Sequence, residues 1–144
     1  MKLILQTLLF TFSLFSSAQE FTLNDFNPLL EKDGLIIHVG EGIFIETSNN
    51  TSHTKYFFKF QNTTNEDLIL QFNKELYYDG ECYGCDNTEG EQQYRITIKA
   101  NSVASFEENP YDKSYSVFKK DNNGWIKKQL TDFKLTHVQI SKVK

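Results

Sequence analysis

The stretch Tyr56-Phe57-Phe58-Lys59-Phe60-Gln61-Asn62-Thr63-Thr64-Asn65-Glu66-Asp67-Leu68-Ile69-Leu70-Gln71-Phe72 decides the fold class. Tyr56, Phe58 and Phe60 alternate against Lys59 and Gln61; Leu68, Leu70 and Phe72 then alternate against Gln71 and Asn73. A period of two marks strands buried on one face. Asn62-Thr63-Thr64-Asn65 between them is turn chemistry. The sequence therefore predicts a β-hairpin here, apolar on one face and wet on the other.

The same period recurs on both sides. Leu35, Ile37 and Val39 alternate with Ile36 and His38, and Gly40-Glu41-Gly42 is expected to turn or bulge before Ile43 to Glu46 resumes. Thr47 to Thr54 is expected to be a polar loop. Tyr94, Ile96, Ile98 and Ala100 point one way, and Arg95, Thr97 and Lys99 the other. Val103 to Phe106 and Tyr115 to Lys119 follow as strands. Asp121-Asn122-Asn123-Gly124 then predicts a hairpin turn, with Trp125-Ile126 starting the return strand. Between Leu130 and Val143 the apolar parity switches, from Phe133 and Leu135 to Val138 and Ile140. A regular strand cannot do that, so a bulge near Thr136-His137 is required. One short helix is expected near the start: Asn27 as cap, Pro28 in the first turn, Gly34 at the end. Seven to nine short strands without alternating helices predict an antiparallel β-sandwich, with a small closed barrel as the alternative. The expected core is Tyr56, Phe58, Phe60, Leu68, Leu70, Phe72, Tyr94, Ile96 and Ile98.

Residues 1–18 have the form of a secretory signal peptide: Met1-Lys2, an apolar run from Leu3 to Phe15, then Ser16-Ser17-Ala18. The run is too short to span a bilayer comfortably, and no later one is of membrane length. Cleavage after Ala18 would leave a single domain, 19–144, in a secreted or periplasmic location. The formal charge of the whole chain is −4; loss of Lys2 makes it −5. Residues 66–112 hold eleven acids against three bases, and 113–144 hold eight lysines against two acids. Arginine is nearly absent and no dense basic run occurs, which argues against a nucleic-acid partner.

Cys82 and Cys85 are the chain's two cysteines. In an oxidising compartment such a pair predicts a disulfide. A redox pair of this spacing needs a helix N-terminus to lower a thiol pKa. Here Asp79, Glu81 and Asp86 flank the thiols, and no helical pattern follows. Zinc would need two further ligands, and the three histidines (His38, His53, His137) are scattered. No metal and no cofactor are expected. The segment from Asp79 to Gln93 is long for a hairpin connection, and long loops on rigid sandwiches often carry binding. Tyr77, Tyr78, Asp79, Glu81, Tyr83, Asp86, Glu89 and Glu91 thus form the candidate binding surface, with the lysine-rich C-terminal third as a second. Its acids match no calcium-loop spacing. No nucleophile motif is present, and Glu107-Glu108 would point to opposite faces of a strand, so no catalytic residue is assigned. Asn49, Asn50 and Asn62 each begin an Asn-x-Ser/Thr triplet, which the lysine-rich, bacterial-looking composition makes loop chemistry rather than glycan sites.

Phe58 to Leu70, and Ile96-Thr97-Ile98-Lys99-Ala100-Asn101-Ser102-Val103-Ala104-Ser105-Phe106, resemble strand–turn–strand phrases of small secreted or periplasmic bacterial immunoglobulin-like domains. The resemblance covers about fifty residues. It implies an immunoglobulin-like sandwich and transfers no active site, because that fold hosts many functions. The expected function is a non-enzymatic binding or accessory module that contacts a protein or envelope component. The alternatives are a thiol-redox or metal-handling protein built on Cys82 and Cys85, and an inhibitor or immunity-type protein.

Overall fold

The computed structural model describes residues 19–87 and 92–144. The signal peptide expected at 1–18 lies outside these residues. The described chain is all-β, in two antiparallel sheets that face each other across one core, and neither sheet closes on itself. The elements are β1 (Gln19–Leu23), β2 (Asn27–Lys32), β3 (Leu35–Glu46), β4 (Thr51–Asn62), β5 (Leu68–Tyr78), β6 (Glu81–Tyr83), β7 (Tyr94–Ile98), β8 (Val103–Ser105), a 3₁₀ turn (Lys113–Tyr115), β9 (Ser116–Asp121) and β10 (Leu130–Lys142).

Long strands paired by two short ones in succession organise both sheets. In the first sheet β3 pairs β4 along its whole length; β1 and β2 share the other edge of β3, and β8 and β9 share the other edge of β4. In the second sheet β5 pairs β10 on one edge and β6 and β7 on the other.

The deciding stretch forms an arch rather than the expected hairpin. β4 belongs to the first sheet and β5 to the second, and the two do not pair. Phe58 and Phe60 look across the core at Leu70 and Phe72, with the Phe60 and Phe72 rings 5.9 Å apart. In a hairpin both apolar faces would need a third layer to cover them; in an arch they cover each other. Asn62 makes the crossover. It is buried, and its Nδ2 donates to the carbonyls of Glu66 (2.8 Å), Ile98 (3.2 Å) and Lys99 (3.1 Å). Its Oδ1 accepts from the Thr64 amide and hydroxyl. A side chain consumed by five bonds is no glycan acceptor, whereas Asn49 and Asn50 are exposed. Asn62→Ala would strand those carbonyls and is expected to cost about 2 kcal/mol, read as a lowered urea midpoint at unchanged slope.

Three further expectations are corrected. The N-terminal helix is absent: Asn27–Lys32 is β2, an edge strand joined to β3 by Asp33-Gly34, both at positive φ (49° and 79°). These values fit a two-residue turn that Asp-Gly favours, so Gly34 closes a hairpin instead of ending a helix. Pro28 lies at the register shift of this edge strand, where its missing amide does no harm. Gly40-Glu41-Gly42 is not a turn: β3 runs through it in unbroken register, Gly40 opposite Phe57 and Gly42 opposite Lys55. A Cβ on Gly40 would lie 3.1 Å from the Phe26 ring, and one on Gly42 would lie 2.7 Å from the Thr22 carbonyl, so these glycines admit close neighbours. The polar loop expected over Thr47 to Thr54 shrinks to 47–50, with Thr51 already paired to Glu46.

The hairpin expected at Asp121–Gly124 is also absent, since β9 and β10 lie in different sheets. The buried Asp121 carboxylate accepts the amides of Asn123 (2.9 Å), Trp125 (2.7 Å) and Ile126 (3.0 Å), which wraps the chain into a loop. These bonds hold its carboxyl below the usual range, the Ile126 amide contributing most. The bulge required near Thr136-His137 is present: the register shifts between Thr136 and Gln139, and His137 has φ 49°.

Of the expected core, Phe58, Phe60, Leu68, Leu70, Phe72, Ile96 and Ile98 are buried, and Tyr56 and Tyr94 are half-buried at its border. A second core, on the opposite face of the first sheet, joins Phe44, Phe57 and Phe106 to Phe21, Leu23 and Phe26. The wet face expected opposite Phe58 and Phe60 is therefore interrupted by a buried phenylalanine, Phe57.

Candidate functional site

Leu68, Leu70 and Phe72 set the inward parity of β5, and the same parity carries on through Lys74, Leu76 and Tyr78. Lys74 is thereby buried, its ammonium among aromatic rings: 4.3 Å from the Tyr94 ring centre, 5.4 Å from Phe58 and 5.8 Å from Phe72. Its Nζ donates to the Ser116 carbonyl at 3.0 Å and to the Lys113 carbonyl, which ties β5 to the turn that opens β9. The acid that acts on it is Asp112, which caps that turn by accepting the Ser114 amide. Burial outweighs Asp112 and brings the Lys74 ammonium down to about 7.

Lys74 lines a cleft of about 400 Å³ where β9, whose strand partner is β4, meets the second sheet. Leu76 and Tyr78 of β5 and Tyr94 of β7 share one wall, and Val117 and Phe118 of β9 line another. His53 and Lys55 of β4, Lys113 and Ile126 complete it. No carboxylate is among these lining residues. The Tyr78 hydroxyl donates to the Phe118 carbonyl at 2.7 Å and so braces the walls. Burial raises the Tyr78 and Tyr94 hydroxyls above their ordinary range. Burial also lowers the Lys55 ammonium, opposed by Glu46, and that ammonium lies 4.5 Å from the Phe44 ring centre. His53 lies 3.7 Å from the Asp121 carboxylate, beyond a hydrogen bond, and its buried Nδ1 has no hydrogen-bond partner. A smaller hollow of about 100 Å³ shares Lys74, Leu76 and Tyr94 and adds Tyr83, Gly84, Asn87 and Gln92.

The residues singled out from sequence are only partly brought together. The expected long loop is half strand: β5 turns at Asp79-Gly80 (φ 49° and 87°) into β6, which pairs straight back onto β5. Tyr78 lines the larger cleft and Tyr83 the smaller, their rings 5.7 Å apart. Tyr77 has the opposite parity and donates to Glu75, away from both. Glu81 and Tyr83 are gripped by Lys128 at 2.6 Å each, which fastens β6 to the 122–129 loop. Lys128 is the main cause holding the Glu81 carboxyl below its usual range. Asp79 accepts the Gln129 amide at 3.4 Å, and Asp86 is exposed. Glu89 and Glu91 lie outside the described residues. Cys82 and Cys85 are disulfide-bonded with Cα atoms 5.9 Å apart, which closes the turn after β6. Gly84 within it, at φ 86°, lies so close to β5 that a Cβ would run into the Lys74 carbonyl. Among the described residues no group of three or more His, Cys, Asp or Glu stands close enough to hold a metal, and no helix is long and apolar enough to cross a membrane.

Sequence reasoning missed Lys74 and the cleft around it. The signal was present: Leu68-x-Leu70-x-Phe72-x-Lys74-x-Leu76-x-Tyr78 puts a lysine on an otherwise apolar parity. Such a position needs partners for its charge and so marks a site. Trp125 and Ile126, expected in a strand, are exposed at 70% and 51% on the loop fastened to β6. No protein-family model matches this sequence, and neither a curated protein nor a solved structure does.

Proposed function

We propose that this protein is a secreted or periplasmic, non-enzymatic binding module of immunoglobulin-like sandwich type, which contacts a protein or envelope component through β6, its disulfide turn and the neighbouring 122–129 loop. The observation that carries this reading is the exposure of large side chains on these linked segments: Tyr83 at 46%, Trp125 at 70% and Ile126 at 51%. Exposed aromatics are costly to leave in water and are enriched where proteins meet. The disulfide and the Lys128 bonds to Glu81 and Tyr83 limit how far these segments move, which lowers the ordering cost of binding. The disulfide also suits an oxidising compartment.

The test is crosslinking of the protein in its native envelope. Enrichment of a neighbour over a control is expected, and the double variant Tyr83→Ser/Trp125→Ser is expected to lower its recovery by about tenfold or more, as loss of a central anchor does. The variant loses the Lys128 bond to Tyr83 but keeps the disulfide and the Lys128–Glu81 pair, so it is expected to stay folded, which far-ultraviolet dichroism checks. No enriched neighbour, or equal recovery with the variant, would sink the reading.

A further inference from the structure

We propose that the cleft around Lys74 is a binding site for a small organic carboxylate carrying an apolar body, with the carboxylate at Lys74 and Lys113 and the body against Tyr78, Phe118 and Ile126. The cleft shares Ile126 with the proposed contact surface, but its ligand is tested without any partner protein, so the two readings fail independently. Its volume of about 400 Å³ suits a molecule of eight to ten heavy atoms with room to spare. The chemistry of the lining selects the class. Cationic side chains border the cleft and no carboxylate lines it, so an anion gains and a cation loses. The walls are aromatic and aliphatic, which rewards an apolar body over a bare inorganic ion. A neutral ligand would leave the Lys74 charge with two carbonyls and aromatic rings for company. An anion beside it adds to the counter-charge of Asp112, which burial outweighs.

Lys74 sets the pH dependence, with Tyr94 of β7 beside its ammonium and Asp112, before β9, acting on its charge; Tyr78 of β5, Lys113, and His53 and Lys55 of β4 are the other titratable groups that share the cleft. Asp112 is the one acid among them, and it is occupied as the cap of its turn. Because burial brings the Lys74 ammonium down to about 7, that amine in the free site is largely charged below this pH and largely neutral above it. Carboxylate binding favours the charged amine, so binding takes up a proton and weakens as pH rises.

Occupancy is read by isothermal titration calorimetry, which needs no reporter side chain in the cleft. The purified protein is titrated with octanoate and with 1-octanol, which differ in the charged end, at about pH 6 and about pH 8.5. Saturable binding of octanoate is expected, weakening about five- to tenfold between these pH values, with octanol at least about tenfold weaker and insensitive to pH. Lys113→Glu, at an exposed position that leaves the fold intact, is expected to weaken octanoate about tenfold and leave octanol unchanged. Lys74→Met is expected to remove the pH dependence. Equal affinity for the acid and the alcohol overturns the proposal, as does octanoate binding untouched by Lys113→Glu. So does the absence of any saturable change up to about millimolar ligand.

Discussion

Phe57→Ala is expected to destabilise the protein by about 3–5 kcal/mol, as much as Phe60→Ala, although the two side chains leave opposite faces of β4. Phe60 fills the space between the sheets, where alternation places it. Phe57 sits on the face that alternation assigns to water, yet it is fully buried. Its ring lies 4.5 Å from Phe106 and 5.9 Å from Phe21, and Phe26 stacks on Phe106 from beyond. The link between β1 and β2 and the segment after β8 thus bring Phe26 and Phe106 over the outer face of the first sheet, beside Phe21 of β1, and give it a second core. Truncating Phe57 opens a ring-sized hole that two strands and a loop cannot close without moving. Urea unfolding followed by far-ultraviolet dichroism checks this. A cost below about 1 kcal/mol for Phe57→Ala, beside a normal cost for Phe60→Ala, would mean that the outer face is solvated.

Raising the pH from about 7 to about 9.5 is expected to stabilise the fold by about 2–3 kcal/mol, against the usual trend, and Lys74→Met is expected to flatten the rise. The sign follows from Lys74. Its folded pKa is lowered to about 7 while the unfolded chain titrates near 10.5. Below both values the amine is charged in both states and the folded state bears the full cost of its burial. Between them the folded protein has shed the proton and the unfolded chain still holds it, so stability climbs with pH through that window. Lys55, lowered in the same direction by burial, adds to the climb at its alkaline end. The tyrosines set the upper limit: burial raises Tyr78, Tyr94 and Tyr115, so above about 10 the unfolded chain ionises first and stability falls again. Urea midpoints at several pH values measure the effect. A flat or falling profile from 7 to 9.5 in the parent protein would show that Lys74 is solvated rather than buried.

The Lys74 carbonyl contacts bear on what such a lysine is for. Its ammonium joins β5 to the turn before β9, so it clamps the two sheets at the place where the cleft opens. A methionine or leucine there would satisfy the core and leave the Lys113 and Ser116 carbonyls bare. The charge is therefore of use both to the fold and to any anion entering beside it, and the pH profiles of stability and of octanoate binding must bend in the same region and in opposite directions.

Period-two alternation located most strands because each side chain of a strand responds to one face at a time. The parity break at Thr136-His137 located the bulge for the same reason. Alternation also held the buried lysine, which stood on the inward parity between Phe72 and Leu76. The Asp33-Gly34 pair held the first hairpin, since only a turn with positive φ at both centres makes good use of those two residues together. A capping pattern at Asn27-Pro28 competed with it and fails because pairing with β3 satisfies this segment's backbone.

Sequence by itself determined the strands and their inward faces, down to a charged residue on an apolar parity, because those depend on neighbours two positions away. Only the tertiary structure decided that β4 and β5 arch between sheets rather than pair, that Gly40 and Gly42 make room for Phe26 and β1, that Phe57 has a core of its own, and that Lys74 opens onto a cationic cleft. Each of these depends on which distant segment comes to lie against a given face, and alternation along one strand carries no record of its visitor.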